Sequence, residues 1–172
     1  MKRPVINIAD VELQPRPPAL SATGPAAERF DARIARIGPL IGAKKLGYNI
    51  TAVAPGKRAF PFHNHQVNEE MFFVLEGSGE VRIGAQIYPI GQGDIIACPA
   101  GGKSTAHQII NTGQVELRYL AVSTCSSPEL VEYPDSGKFG VMAEVANAAG
   151  NGTEPFAFIG RAERSLDYWE GE

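Results

Sequence analysis

From Leu46 onward the apolar positions of this chain fall into short runs separated by Gly, Pro and Asn. The runs are "LGYNITAV", "MFFVLEG", "GEVRIG", "QIYPI", "GDIIACP", "AHQIIN" and "VELRYLAVS". Each is rich in β-branched and aromatic residues and too short for a helix of ordinary length, so the pattern predicts an all-β sandwich or barrel of antiparallel strands. "VRIGAQIYPI" predicts a hairpin with a three-residue link, Gly84 to Gln86, in which glycine supplies a positive φ. Upstream, Pro4, Pro15, Pro17 and Pro18 rule out a helix and predict an extended arm. "PAAERFDARIARIG" fits two templates. Pro25 suits a first helical position with Phe30, Ile34 and Ile37 on one face, while "RIARIG" alternates as a strand does. Beyond Ser127 the rhythm weakens, and "GVMAEVANAAGNGTEP" predicts a small, flexible stretch with one more strand at "FAFIG". The expected organisation is an N-terminal arm (1–43), a barrel core (44–126) and a C-terminal extension packing on the barrel (127–172), with Tyr168 and Trp169 pinning the tail.

Composition agrees. Nineteen Gly and 13 Pro in 172 residues demand frequent turns, and 44% hydrophobic residues supply an ample core. A formal net charge of −3 without blocks of either sign offers nothing to phosphate backbones or anionic bilayers, so no nucleic-acid or membrane partner is expected. Cys98 and Cys125 fit no zinc spacing and no disulfide framework, which is consistent with reduced thiols and a cytoplasmic location. Cys98 reads as a buried hydrophobe.

The chemistry gathers in "PFHNHQVNEEMFFVLEG". In a strand, residues two apart share a face, so His63 and His65 present two imidazoles side by side. Glu69 and Glu70 follow, either of which can offer a carboxylate. The third histidine of the chain, His107, opens the run "HQIIN". Imidazole nitrogens with one carboxylate oxygen suit divalent first-row ions rather than Mg or Ca.

These residues carry a resemblance. "GKRAFPFHNHQVNEEMFFVLEG" resembles the first motif of the cupin superfamily, with Gly56, His63, His65, Glu70 and Gly77 in its places and one extra residue after Gly56. "GDIIACPAGGKSTAHQIIN" resembles the second, through Gly93, Pro99, Gly101, His107 and Asn111. The family usually has two residues between that glycine and the histidine; here five intervene, Gly102 to Ala106. With "VEYPDSGKFGV" and "DYWEGE", the chain is similar to single-domain bacterial cupins of no assigned role.

The resemblance implies a double-stranded β-helix jelly roll holding a divalent transition metal (Zn, Fe, Mn or Ni) on His63, His65, Glu70 and His107. The family's six-residue spacing to Gly77 selects Glu70 over Glu69. With Glu70 inward, strand parity turns Phe72 and Val74 into the barrel, and His107 similarly turns Thr105 and Ile109 inward. Phe73 and Leu75 then face outward and need the arm or a second subunit as cover. That outward pair predicts a homodimer. Lys103, on the lengthened loop, is a candidate pocket residue for an anionic ligand, and the glycines beside it suggest a gate. Two functional classes follow. One is a metal-dependent enzyme on a small oxygen-bearing substrate, isomerase or epimerase-like, or dioxygenase-like. The other is a non-catalytic small-molecule or metal-binding module. The proline-rich arm is no helix-turn-helix, which disfavours a DNA-binding regulator.

Overall fold

The computed structural model describes residues 3–172. Thirteen strands run in chain order: β1 Gln14–Pro15, β2 Ala32–Arg36, β3 Leu46–Val53, β4 Asn64–His65, β5 Glu70–Glu76, β6 Ser78–Ile83, β7 Gln86–Gly91, β8 Ile95–Cys98, β9 His107–Ile110, β10 Leu117–Thr124, β11 Glu129–Tyr133, β12 Lys138–Ala146 and β13 Thr153–Gly160. A four-residue α-helix, α1 (Gly38–Ile41), and four 3-10 turns are the helical elements among the described residues. All strand pairings are antiparallel and form three sheets, ordered β1-β2-β3-β10-β5-β8, β7-β6-β9 and β13-β12-β11-β4.

The sheets close into a jelly-roll barrel around one core. Ala32, Val53, Phe72, Val74, Val81, Ile90, Ile96, Cys98, Ile109, Leu117 and Tyr119 meet there, drawn from strands of the first two sheets. The expected parity of β5 holds. Phe72 and Val74 are buried inside, whereas Leu75 packs outward with Leu120 against Ile6, Val11 and Leu13 of the arm. The arm thus covers the outer face of the large sheet, and Leu75 needs no second subunit.

One open choice is decided and three local expectations change. "RIARIG" is a strand, because Ala32 faces the core and Ala35 the outer cluster, and alternation outweighs the helical spacing. The β6–β7 link has two residues, since Ile83 pairs with Gln86. Gly84 takes φ 54° at the first of the two central positions, and no non-glycine among the described residues has positive φ, a pattern that fits a type II′ turn. Of the stretch expected to be flexible, 140–146 belong to the nine-residue β12, which pairs with β13 from Phe139 to Ala146, and 147–152 are the turn between the two strands. Tyr168 and Trp169 pack edge to face on each other and stay exposed, so they do not pin the tail.

Candidate metal centre

The histidines reach the cluster on different strands. His63 exchanges two backbone hydrogen bonds with His107 (N–H to O, 3.2 and 2.8 Å), which sets their side chains together across the β9 edge. His65 sits in β4, paired with Val131 of β11. Glu70 opens β5 and is paired on both sides, with Ser123 of β10 and Cys98 of β8. Between the two histidines, Asn64 is fully buried and turned away from them. Its Nδ2 donates to Gly101 O (2.7 Å) and to Glu132 Oε2 (2.8 Å), anchoring the His-x-His segment to the loop before β9 and to β11.

One donor atom from each of His63, His65, Glu70 and His107 lies within 4.8 Å of every other. The three Nε2 atoms converge on a single carboxylate oxygen, Glu70 Oε2, at 3.9, 3.4 and 2.9 Å for His63, His65 and His107. The opposite ring nitrogens explain the orientation. His63 Nδ1 lies 2.8 Å from Pro61 O and His107 Nδ1 lies 3.3 Å from Thr105 O. A carbonyl only accepts, so His63 Nδ1 carries the proton and its Nε2 lone pair points inward; His107 Nε2 lies at hydrogen-bond distance from the Glu70 carboxylate and donates to it, a proton that a bound cation would displace. His65 is buried, with neither ring nitrogen hydrogen bonded. Convergent lone pairs around a carboxylate are a cage for a cation, and an N₃O set of this kind matches a divalent transition ion.

The electrostatics agree with a cage of coupled groups. Burial, with the neighbouring His107, depresses the His63 pKa to about 4, so its imidazole is neutral and ligand-ready at neutral pH. Burial also disfavours the charged form of His65, but Glu70 and Glu129 outweigh it and raise its pKa. For Glu70, burial pushes upward, yet the hydrogen bond from His107 and the adjacent His65 imidazole hold its carboxyl well below the usual range. Cation-seeking charge is therefore present in the cluster at neutral pH.

A cupin domain model matches residues 49–123. That span contains both motifs and all four converging side chains. Residues 49–123 of this chain form a cupin domain. Over its full fold the cupin is similar to a sugar phosphate isomerase of the cupin superfamily from Silicibacter pomeroyi, at 22% identity and TM-score 0.73, covering 96% of this chain and 98% of that one. It is also similar to the polyketide cyclase RemF from Streptomyces resistomycificus, at 25% identity and TM-score 0.54, over 75% of this chain and 83% of that one. Among curated sequences, an uncharacterised protein of Methanocaldococcus jannaschii is 32% identical over 77 residues, 45% of this chain; the chain spans 57% of that relative's length.

The five residues Gly102 to Ala106 do not displace His107. They fold into a turn in which Thr105 N–H and Oγ1 both bond Gly102 O (3.0 and 2.9 Å), while Gly101 N–H donates to His65 O (2.8 Å). This is a hydrogen-bonded turn tied to a ligand strand, which argues against the free gate its glycines suggested. The Thr105 hydroxyl is spent inside the loop. Lys103 lies exposed on the turn. Phe72 adjoins the cluster, its ring 5.6 Å from that of His107, whereas Val74 and Ile109 lie in the packed core. Glu69 is exposed, its N–H bonded to Thr124 Oγ1, and Tyr48 lies in the outer cluster, so neither reaches the metal centre.

Two neighbours were not anticipated. The Tyr133 ring stacks beside His63 (6.3 Å, 25°), and the Phe60 ring lies 6.2 Å from the same imidazole. The Glu129 carboxylate, 6% exposed, lies behind His65. Both come from β11, beyond the motifs. Glu129 had only the alternation of "ELVEY", which faintly marks a strand, as its sequence signal, and Tyr133 fell within "VEYPDSGKFGV" without being singled out.

Proposed function

We propose that this cupin is a metal-dependent isomerase acting on a small hydroxy-carbonyl compound of the sugar phosphate class, with His63, His65, Glu70 and His107 holding a divalent transition metal (Zn, Fe, Mn or Ni). The observation that carries the proposal is the convergence of three Nε2 atoms on Glu70 Oε2 in a cluster open on one side. The side chains of His63, His65 and Glu70 are 14, 18 and 18% exposed, against 3% for His107. An ion there supplies Lewis-acid polarisation of a substrate carbonyl or hydroxyl. The chain's own residues shield and orient the substrate, and the proton moved between its carbons exchanges with solvent water. The Phe60 and Tyr133 rings both lie against His63 and would shield that edge of a bound substrate from water. The Tyr133 hydroxyl has no hydrogen-bond partner among the described residues and is free to bond a substrate oxygen. The S. pomeroyi isomerase lends fold-level support to the substrate class.

The test has two parts. Elemental analysis of protein purified without added metal is expected to find about one divalent transition ion per chain. The loaded protein is then incubated in D₂O with aldose and ketose phosphates and followed by ¹H NMR. Deuterium entering at the carbon beside the carbonyl, together with the isomeric sugar, is the expected result. Bound metal without exchange on any of these substrates overturns the isomerase reading and leaves a metal-binding module. Oxygen consumption by iron-loaded protein replaces it with a dioxygenase.

A further inference from the structure

We propose that Glu129 is the positioning carboxylate for His65, fixing the proton on Nδ1 so that the Nε2 lone pair faces Glu70 and the centre of the cluster. The inference rests on the reading of that cluster as a metal centre, and it assigns a role to a residue outside both motifs.

Glu129 is held with unusual rigidity. Its Oε1 accepts from the backbone N–H groups of Gln66 (3.1 Å) and Val67 (3.2 Å), and its Oε2 from that of Asn68 (2.7 Å). The three donors are the residues immediately after His65, so the carboxylate and the imidazole are registered to one short segment. The same Oε2 lies 3.6 Å from His65 Nδ1. That separation is longer than a hydrogen bond, and Nδ1 is buried with no other acceptor, so a small ring rotation on metal capture closes the contact. The pattern across the site makes the assignment. His63 and His107 each have a backbone carbonyl behind Nδ1, and His65 has Glu129 in the equivalent place. Acceptors in this position fix the tautomer of a ligating histidine and raise its basicity, and their loss typically costs about 10- to 100-fold in metal affinity.

The competing account is that Glu129 only stitches the 66–68 turn to β11. Both accounts predict a less stable variant, so stability cannot decide between them. Full-length protein is stripped of metal and titrated with Co²⁺, and the histidine rings of the Zn²⁺-loaded form are assigned by ¹⁵N–¹H NMR. In the wild type, His65 is expected to coordinate through Nε2 and to show a hydrogen-bonded, slowly exchanging Nδ1 proton. E129Q is expected to lose that protected proton and to weaken Co²⁺ binding about tenfold or more. E132Q is the control, since Glu132 bonds Asn64 and Gln66 but no ring nitrogen, and it stays within about twofold. E129Q with unchanged cobalt affinity and an unchanged ring proton overturns the proposal, as does coordination of wild-type His65 through Nδ1. That second readout decides the matter even if E129Q fails to fold. A wild-type protein that takes up neither ion refutes the metal reading itself.

Discussion

Asn64 separates the two histidines of the first motif, and its replacement probes whether the His-x-His segment depends on the strands behind it. Asn64→Ala removes a neutral hydrogen bond to Gly101 O and one to the charged Glu132. Net contributions are roughly 1 kcal/mol for the first and about 1.5–3 kcal/mol for the second, which together make about 3 kcal/mol. Glu132 keeps Gln66 Nε2 at 2.9 Å, so it is not left unpaired and the larger penalty of an orphaned buried charge does not apply. For a chain of this size that loss lowers Tm by about 6–12 °C. Asn64→Asp is sharper. It sets a carboxylate oxygen about 3 Å from Glu132 Oε2, and two such groups must share one proton. The shared proton raises the folded-state pKa of the pair above its unfolded value. Its stabilisation is therefore present at low pH and lost as pH rises. Asn64→Asp should unfold more readily than Asn64→Ala at about pH 8, with the gap closing toward about pH 5. Urea unfolding across that range reads both variants. A loss below about 1 kcal/mol for Asn64→Ala, or equal stability of the two at every pH, would refute the reasoning.

Single His65→Ala and Glu70→Ala replacements should each remove most bound metal by elemental analysis, while Glu69→Ala, whose side chain is exposed, keeps it. Cys98 is 2% exposed and its thiol is pushed up to about 12 by burial and by Glu70, so at pH 8 a disulfide reagent should titrate one thiol, the exposed Cys125, and reach the second only in denaturant. We also propose a homodimer, now on different grounds from Leu75: β13 is exposed along all but its last residue, its outer edge is unpaired among the described residues, and Phe156, Phe158 and Val145 stand exposed on one face of the β12–β13 hairpin. Light scattering should give twice the 18.4 kDa chain mass, and Phe158→Asp should give the monomer; a wild-type monomer at micromolar concentration counts against it.

What was legible in the sequence follows from the range over which each signal acts. Strand β3 was readable residue for residue as "LGYNITAV", because a short β-rich run bounded by turn residues is a local pattern, even though its last four residues are all buried. The parity of β5 was equally legible: once Glu70 points inward, pleating leaves no choice for Phe72, Val74 or Leu75. Gly77 is a similar case. It has φ 80°, and a Cβ there would lie 2.5 Å from Glu116 O, so the motif glycine records a backbone constraint that any bulkier residue violates. The C-terminal strands were less legible for a physical reason. β12 and β13 pair mainly with each other and bury little, so no strong apolar alternation is imposed on "GVMAEVANAAGNGTEP", and small residues there look like a loop. Glu129 shows the limit most clearly. Its significance lies in backbone donors 61 to 63 residues away and in an imidazole that faces it across the β4–β11 pairing. An acidic residue opening a weak strand carries no mark of such partners. A ligand set can be recognised from the spacing of its donors, but the groups that orient those donors need only be near in space, and any strand the fold brings alongside can supply them.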